Sequence, residues 1–557
     1  MKKVIKIMGI LILSLVLLTG CDKAKDNADN SSSSVTTAPT AGASATETVA
    51  ATNTSDAAVA TPTAGTDAAD TTDAADTTEA ADTTEAADPN YDPNFKLTIE
   101  AEDAEFAGNL KVESTKQGYT GTGYLNGMQA DADTVTFTVT VPGAGAYDLN
   151  FKSAGNTGHK ENNVLVDGEN IGLTIVDKND FQDSILQRIY LIAGEHKIMV
   201  TKSWGWILLD SLTVTASAPA DKSIYEVSST LSDPNATDST KRLMQYLTDT
   251  YGKYIISGQY GDMGIMGSEF NAIKNVTGKY PAILGLDFIE YTPSRVANGS
   301  VGMDVEYAKK FHQEGGIVTF CWHWNAPEKY LINSSNEPWW KGFYTEGTNI
   351  NLKKIMDGED QEGYDLLIRD IDAIAVQMQT LQKADIPILW RPLHEASGRW
   401  FWWGASGPEA YIKLYQLLYD RLVNYHGIHN LIWVWNGQNK DWYPGDQYVD
   451  IVGTDVYPGE KVYNSQAAKF NELADWLGDS RKLIAMTENG CMFDPDLAVR
   501  DNAMWLYFGT WEGEFLTLNN TYTLSEKYTE TSMLKKVYTS DKVITLDELP
   551  DLKTYGN

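Results

Sequence analysis

The stretch Ile386-Pro-Ile-Leu-Trp-Arg-Pro-Leu-His-Glu395 is an apolar, strand-like run that ends in a carboxyl group. A second run of this kind, Lys482-Leu-Ile-Ala-Met-Thr-Glu488, ends in another carboxyl group. A single glutamate at a strand end is usually a solvated surface residue, but aromatic residues such as Trp400 and Trp402 crowd the first one. Carboxyl groups held beside apolar rings can stay protonated or act as nucleophiles, and the cleavage of a glycosidic bond requires both properties.

The C-terminal part of the chain, residues 217–557, alternates apolar runs with amphipathic stretches. One stretch carries apolar residues at helical spacing, from Leu367 through Ile371, Ile374 and Met378 to Leu381. The apolar runs cover residues 254–257, 282–288, 316–322, 386–393, 431–435, 449–456, 482–487 and 505–510. Eight such units predict a (β/α)8 TIM barrel, in which Glu395 follows strand four and Glu488 follows strand seven.

Residues 95–216 change to an alternation with a period of two. Val135, Phe137, Val139 and Val141 share one face of a strand, and the turn pair Asp167-Gly168 follows a later strand. Short strands at this spacing predict a β-sandwich module ahead of the barrel. The protein is therefore expected to be multidomain.

The N-terminus has the pattern of an export signal, predicted over residues 1–20. Three lysines precede the apolar residues 10–18, and Leu18-Thr-Gly-Cys21 resembles the lipobox of bacterial lipoproteins, in which the cysteine is acylated. An ordinary secretory signal with an incidental Cys21 is the alternative. Residues 21–94 are rich in Ser, Thr, Ala, Asp and Glu and predict a disordered tether. We expect an extracellular protein, lipid-anchored at the bacterial cell surface.

The amino-acid composition and the absence of certain motifs exclude some classes of binding partner and of catalytic chemistry. A formal net charge of -32 argues against binding to nucleic acid, because both would be polyanions. The 16 Trp and 29 Tyr residues suit stacking on sugars, although large cores also use aromatic residues. His-Glu-x-x-His does not occur, so no metal or other cofactor is expected for catalysis, and the lack of Gly-x-Ser-x-Gly argues against a serine nucleophile. Cys321 and Cys491 could form at most one bridge.

Four motifs in the barrel segment resemble glycoside hydrolase family 26. They are Trp390-Arg-Pro-Leu-His-Glu395, Trp400-Phe-Trp-Trp-Gly404, Leu431-Ile-Trp-Val-Trp-Asn436 and Asp441-Trp-Tyr-Pro-Gly445. Most members of this family are endo-β-1,4-mannanases. The resemblance implies a retaining, double-displacement mechanism on β-mannan.

The resemblance also implies roles for individual residues. Glu395 would be the general acid/base and Glu488 the nucleophile, with hydrogen bonds from Arg391 and Tyr457 keeping Glu488 ionised. The residues that would line the subsite of bond cleavage are His323, His394, Tyr457 and Trp511. Trp324 or Trp402 would bind neighbouring sugars. Trp433 and Trp435 are more readily assigned to packing, while Asn436 and Asp455 could bind sugar hydroxyls or cap helices.

The sandwich segment resembles a carbohydrate-binding module of family 35 or family 6. The resemblance rests on Ile99-Glu-Ala-Glu102, Gly118-Tyr-Thr-Gly-Thr-Gly-Tyr-Leu125 and Trp204-Gly-Trp-Ile-Leu-Leu-Asp210. It implies a structural Ca²⁺ held by Glu100, Glu102 and Asp210, for which ordinary surface carboxylates are the alternative. Tyr119, Trp204 and Asn156 are the candidate sugar contacts, and Trp206 could be a core residue.

Two classes of function remain at this point. One is a secreted endo-β-1,4-mannanase whose module holds the polymer near the cleft. The other is a non-catalytic glycan-capture protein on the same scaffolds. Within the first class, mixed-linkage β-glucan and β-1,3-xylan are alternative substrates.

Overall fold

The computed structural model describes residues 88–155, 160–176, 178–203, 205–261, 263–518 and 521–556 of the 557-residue chain. The predicted signal peptide, Cys21, most of the predicted tether, Asn156 and Trp204 lie outside these residues. Among the helices of the described residues, none is long and apolar enough to cross a membrane.

The first module is a sandwich of two antiparallel sheets, as the alternating pattern predicts. One sheet has the order β3-β4-β11-β6-β9, with β1 paired to β11, and the other has the order β2-β5-β10-β7-β8. The strands are β1 (Lys96–Glu100), β2 (Glu105–Ala107), β3 (Lys111–Glu113), β4 (Tyr124–Asn126), β5 (Thr134–Val141), β6 (Gly145–Gly155), β7 (Lys160–Val166), β8 (Glu169–Val176), β9 (Gln182–Leu191), β10 (Gly194–Lys202) and β11 (Ile207–Ala216).

The module begins before residue 95, where the sequence placed the end of the tether. The rings of Tyr91 and Phe95 pack on Tyr147 at centroid distances of 5.4 and 5.6 Å. The Tyr91 hydroxyl also donates to the carbonyl of Ala146 at 2.7 Å. A single aromatic residue in a polar segment carries no periodic signal, so this contact could be found only in the folded structure.

The second module is a closed barrel of eight parallel strands, which confirms the predicted fold class. Its strands are β13 (Gly258–Tyr260), β14 (Ile283–Asp287), β15 (Ile317–Cys321), β16 (Ile388–Arg391), β17 (Leu431–Trp435), β18 (Ile451–Val456), β19 (Leu483–Asn489) and β20 (Phe508–Thr510). Two further strands, β12 (Ile255–Ile256) and β21 (Val543–Ile544), pair in parallel outside the barrel.

The first barrel strand differs from the prediction of residues 254–257. Ile255 and Ile256 pair with β21, and the chain enters the barrel only at Gly258. A Cβ atom at Gly258 would lie 2.4 Å from the carbonyl oxygen of Phe508, so only glycine allows this close approach. The sequence pattern detected the apolar run but not the step between the two sheets.

Helices surround the barrel. They are α1 (Asp238–Thr250), α2 (Ser268–Thr277), α3 (Pro293–Ala297), α4 (Asp304–Gln313), α5 (Leu352–Met356), α6 (Gln361–Lys383), α7 (Trp402–Ala405), α8 (Pro408–Tyr419), α9 (Ala467–Leu477), α10 (Pro495–Arg500) and α11 (Thr531–Tyr538). The predicted apolar face of α6, from Leu367 to Leu381, is buried against the barrel. Trp433 and Trp435 are both fully buried, and Cys321 and Cys491 are buried free thiols that form no bridge.

The sandwich packs against the barrel along α9. The side chain of Asn464, just before this helix, donates to Glu169 at 3.1 Å and to the carbonyl of Asn170 at 2.7 Å. The guanidinium of Arg500 lies 4.2 Å from the ring centroid of Tyr190. Strands β8 and β9 thus meet the barrel through polar and cation–π contacts.

Candidate active site

The two glutamates lie at the C-terminal ends of barrel strands β16 and β19, which are separated by β17 and β18. Glu488 is the penultimate residue of β19, and Glu395 follows β16 by four residues. Glu395 has a left-handed backbone (φ 54°), and its N–H donates to the carbonyl of Asn436 at 2.7 Å. Because such a conformation is costly for a residue with a side chain, the surrounding loops must hold it in place.

A third carboxylate, that of Asp455, lies close to the two glutamates. One oxygen atom from each of Glu395, Asp455 and Glu488 lies within 4.8 Å of the other two. Retaining glycosidases need their carboxyl groups about 5–5.5 Å apart, whereas inverting enzymes separate them by about 6.5–9.5 Å to admit a water. The observed spacing matches the retaining mechanism.

Arg391 donates hydrogen bonds to two members of this carboxylate cluster. Its side chain has no exposed surface, and it donates to Glu488, to Asp455 at 3.1 Å and to the Tyr260 hydroxyl at 3.1 Å. Asp455 also accepts from Asn436 at 2.6 Å and from Thr487 at 2.7 Å. The sequence analysis predicted the Arg391 contact to Glu488 but missed Tyr260, whose position at the end of β13 becomes informative only once the barrel closes.

Burial raises the pKa of both catalytic candidates, but their neighbours differ. The pKa of Glu395 is well above its usual range because burial, Asp455 and Glu488 all favour the protonated acid. Burial raises the pKa of Glu488 to about 7, while Arg391 and the Tyr457 hydroxyl favour its carboxylate. The proton therefore resides on Glu395, which suits a general acid, and Glu488 is the more readily ionised group.

An aromatic side chain donates a hydrogen bond to each of the two glutamates. The indole of Trp400 donates to Glu395 at 3.0 Å, and the Tyr457 hydroxyl donates to Glu488 at 2.7 Å. Tyr457 packs on Phe515 at 5.2 Å, and a Cβ atom on Gly490 would lie 2.7 Å from the Tyr457 ring. The glycine two residues after Glu488 is thus a sequence signal for this close packing.

Two histidines form a hydrogen-bonded pair beside the carboxylates. His394 Nε2 lies 3.1 Å from His323 Nε2, and His323 Nδ1 lies 2.6 Å from Asp287. Burial, with the charges of Arg391 and His323, holds the pKa of His394 well below its usual range. Burial raises the pKa of Asp287, but the His323 ring and hydrogen bonds outweigh it and lower the pKa. The ring centroids of Trp511 and His323 are 5.9 Å apart, so Trp511 lies on the same side of the site as the histidine pair.

The prediction that Trp324 or Trp402 contacts sugars is wrong for this structure. Their exposed fractions are 0% and 1%, and both indole nitrogens donate inside the protein. Trp324 donates to Asp370 at 3.0 Å, and Trp402 donates to the Trp324 carbonyl at 2.6 Å. Both rings therefore pack inside the protein and leave no surface for a sugar.

In the sandwich, the three predicted Ca²⁺ ligands surround one loop. Thr120 donates to Glu100 at 2.7 Å and to Asp210 at 2.9 Å, and the N–H of Thr122 donates to Glu102 at 2.6 Å. One oxygen of Glu102 is buried without a hydrogen-bond partner, which fits a cation ligand. Lys152, 3.3 Å from Asp210, partly neutralises the set.

The predicted sugar contacts of the sandwich are only partly within the described residues. The Tyr119 ring is half-buried and lies 5.8 Å from Tyr124. Trp206, which the sequence analysis allowed as a core residue, is 41% exposed and has a left-handed backbone (φ 51°). The structure therefore places Trp206 at the surface rather than in the core.

A parallel eight-stranded barrel with paired glutamates after strands four and seven defines a retaining glycoside hydrolase. This assignment sets aside the non-catalytic glycan-capture class. The chain belongs to glycosyl hydrolase family 26, whose model matches residues 232–548. Residues 97–217 match carbohydrate binding module family 35. Both resemblances stated from the sequence are confirmed, and the module belongs with family 35 rather than family 6.

Individual relatives agree with the family. A mannan endo-1,4-beta-mannosidase of Thermothelomyces thermophilus is 42% identical over 453 residues, which are 81% of this chain and 90% of that protein. Mannan endo-1,4-beta-mannosidase B of Piromyces sp is 35% identical and covers 82% of this chain and 77% of its own. The crystal structure of Podospora anserina GH26-CBM35 β-(1,4)-mannanase has a TM-score of 0.58 at 39% identity, covering 83% of this chain and 100% of its own.

Replacing Tyr457 with Phe should move the acid limb of the kcat/KM profile to higher pH. The lost hydroxyl favours the Glu488 carboxylate, so its removal raises the pKa of Glu488 by about one unit, as expected for a charge-assisted hydrogen bond. The measurement is a pH–rate profile on a soluble oligosaccharide. Tyr443→Phe is the control, because the Tyr443 hydroxyl donates to Asp446 rather than to Glu395 or Glu488. An unmoved acid limb would show that Tyr457 does not tune the nucleophile.

Proposed function

We propose that this chain is an endo-β-1,4-mannanase, exported and lipid-anchored at the bacterial surface, that cleaves β-mannan with retention of configuration. The observation that carries the proposal is the division between the two glutamates. Glu395 keeps its proton among negative neighbours, whereas Arg391 and Tyr457 stabilise the Glu488 carboxylate. The mannan preference is supported by the names of the two relatives described above.

The reaction would proceed in two displacements. Glu488 attacks the anomeric carbon while Glu395 gives its proton to the departing glycosidic oxygen, which leaves a glycosyl ester on Glu488. Glu395, now a carboxylate, takes a proton from a water that attacks the same carbon. The ester bond to Glu488 then breaks, and both glutamates return to their starting protonation states.

Neighbouring residues would position the sugar. His323, His394 and Trp511 line one side of the carboxylates, so they would contact the sugar whose bond breaks. Trp400 donates to the acid/base and would fix its orientation toward the leaving group. Arg391 and Tyr457 act on the nucleophile rather than on the sugar.

The test is a panel of polysaccharides with product analysis. We expect new reducing ends from mannan and glucomannan at a rate at least about tenfold above those from mixed-linkage β-glucan and β-1,3-xylan, a difference of about 1.4 kcal/mol. Endo action would appear as a rapid fall in viscosity, and retention as the initial release of the β-anomer in NMR spectra. Preferred hydrolysis of glucan or xylan would replace the proposed substrate but not the mechanism.

The anchor is proposed from the sequence of residues 1–21, which lie outside the described structure. The basic segment, the apolar segment and Leu18-Thr-Gly-Cys21 support export and acylation at Cys21. In a bacterial host, labelled palmitate should be incorporated into the wild-type chain and not into Cys21→Ala. Release of the wild-type protein into the medium, without label, would favour the ordinary secretory signal instead.

The sandwich is proposed to bind mannan through Tyr119 and Trp204, which raises the local concentration of polymer at the barrel. Because β8 and β9 pack on α9, deleting the whole module would also uncover barrel surface, so substitutions are the sharper test. Trp204→Ala and Tyr119→Ala should each slow hydrolysis of insoluble mannan several-fold more than hydrolysis of mannopentaose. Ile192→Ala, at an exposed residue of the same module, is the matched control. Equal loss on both substrates would assign these rings to folding.

A structural Ca²⁺ is proposed at Glu100, Glu102 and Asp210. Chelation should lower the melting temperature of the sandwich, because an ion present at 100 times its Kd stabilises the folded state by about 2.7 kcal/mol. The measurement is calorimetry of the full-length protein with and without chelator, with hydrolysis of a short oligosaccharide followed in parallel. Glu102→Gln should melt early in both conditions. An unchanged transition in the wild type would leave these residues as ordinary carboxylates.

A further inference from the structure

A sulfur, a nitrogen and an oxygen ligand meet beneath the histidine pair. Asp287 ends strand β14 and Cys321 ends strand β15, and the two are register neighbours in the parallel sheet. His323 follows Cys321 by two residues, which places both side chains on one face of the chain. One ligand atom from each of the three lies within 4.8 Å of the others.

We propose that Asp287, Cys321 and His323 form an inhibitory site for a borderline-soft divalent cation such as Zn²⁺. Thiolate, imidazole and carboxylate are the ligands that Zn²⁺ uses, with bonds of about 2.0–2.3 Å in tetrahedral geometry. The present separations are 2.6 Å between His323 Nδ1 and Asp287 and 3.9 Å between Cys321 and His323 Nδ1. Opening the first by under about 1 Å would admit the ion, with water as its fourth ligand.

The supporting contacts orient the ligands before any ion arrives. The second oxygen of Asp287 accepts from the backbone N–H groups of His323 at 3.0 Å and Ile289 at 2.9 Å. This leaves the other oxygen directed at the imidazole. The side chains of Asp287 and His323 are 21% and 13% exposed, so an ion can enter from the cleft, while Cys321 forms the buried floor.

The carboxylate cluster of Glu395, Asp455 and Glu488 is a poorer zinc site. Glu395, Asp455 and Glu488 supply only oxygen ligands, and Arg391 and Tyr457 already donate to Asp455 and Glu488. A cation there would have to displace a buried guanidinium. The same negative charges lie close to His323, however, and they attract cations into the cleft.

Binding at the proposed site would disturb the histidine pair. The ion replaces the proton between His323 Nδ1 and Asp287, the imidazole proton moves to Nε2, and the thiol releases one proton to solvent. His323 Nε2 then becomes a donor that faces His394 Nε2 at a distance of 3.1 Å. The two Nε2 atoms can bond again only after His394 moves its own proton to Nδ1, a buried atom without a hydrogen-bond partner among the described residues, so the ion changes the protonation of both rings beside the carboxylates.

The test uses Co²⁺ as a spectroscopic probe of the purified, full-length protein. Cobalt replaces zinc in such sites, and a cobalt–thiolate bond gives a charge-transfer band in the near ultraviolet. We expect this band in the wild type and in Cys491→Ser, which removes the second buried thiol, but not in Cys321→Ser or Cys321→Ala. Zn²⁺ should abolish the band by competition, and each Cys321 variant should bind Zn²⁺ at least about tenfold more weakly.

Inhibition is the second readout, and it rests on the proposed hydrolysis. Zn²⁺ should inhibit the wild type and Cys491→Ser reversibly, with activity restored by chelator, and the Cys321 variants should need at least about tenfold more zinc relative to their own metal-free rates. Thermal unfolding of each variant shows whether it is folded. A cobalt band that persists without Cys321, or disappears without Cys491, overturns the site. Inhibition that is equal in all variants, without a thiolate band, assigns the effect to Glu395, Asp455 and Glu488 and also overturns it.

Discussion

Glu488→Ala should abolish turnover of every glycoside, with kcat reduced on the order of 10⁴- to 10⁶-fold, as for the loss of other covalent nucleophiles. Without this carboxylate no glycosyl–enzyme bond can form, whatever the leaving group. The neighbouring carboxylate of Asp455 is already bound by Arg391, Asn436 and Thr487, so we do not expect it to replace Glu488. The measurement is hydrolysis of mannan and of an aryl β-mannobioside with an activated leaving group.

Glu395→Ala should behave differently on the same two substrates. Mannan hydrolysis should fall about 10²- to 10⁴-fold, the usual contribution of a general acid, while glycosylation by the activated aryl glycoside should remain measurable. Added azide should restore turnover of the aryl substrate and give a β-glycosyl azide, because a small anion needs no general base. Glu395→Gln and Glu488→Gln, which keep the side-chain shape, are the matched controls. Equal loss on both substrates in the Glu395 variants would contradict the assignment of the acid.

Arg391→Met should destabilise the barrel by about 3–5 kcal/mol, the usual cost of removing one partner of a buried ion pair. The substitution would leave Asp455 and Glu488 without their shared buried cation. It should also raise the pKa of Glu488, because the guanidinium favours the carboxylate, so any remaining activity should have its acid limb at higher pH.

Denaturant unfolding and a pH–rate profile measure these two effects. Arg421→Met is the control, because Arg421 makes a similar bidentate pair with Asp372 at a partly exposed surface. That change should cost no more than about 1 kcal/mol. If the two variants unfold at similar denaturant concentrations, Arg391 is not a buried counter-ion of the kind described.

The helices around the barrel were readable from periodicity, because each must bury one face, and the strands were readable from continuous apolar runs, because both faces of these strands are buried. The apolar spacing in α6 and the run before Glu395 each marked an element that the structure contains. The first strand was misplaced by a few residues, since Ile255 and Ile256 are apolar for a pairing outside the barrel. A local sequence pattern predicts that a residue is buried, but it does not predict which strand or helix packs against that residue.

The aromatic residues show the same limit at the site. Trp400 and Trp402 belong to one motif, yet Trp400 donates to Glu395 and Trp402 packs inside the protein. Leu393, Glu395 and Arg399 have left-handed backbones, a local conformation that the motif does not reveal. From the sequence alone, every Trp in such a motif is expected to have the same role.

The class of fold, the two strand-end glutamates, the family and the contacts of Arg391 and Tyr457 with Glu488 were readable from the sequence, because strand-end position and local motif are properties of short segments. The other groups around these glutamates became known only from the folded structure. Asp455, Tyr260 and Asp287 come from strands β18, β13 and β14, and their distances to Glu488, Arg391 and His323 depend on barrel closure. Electrostatic interactions in a buried site depend on separations of a few ångströms, and these separations are set by the packing of the whole barrel rather than by neighbours along the chain.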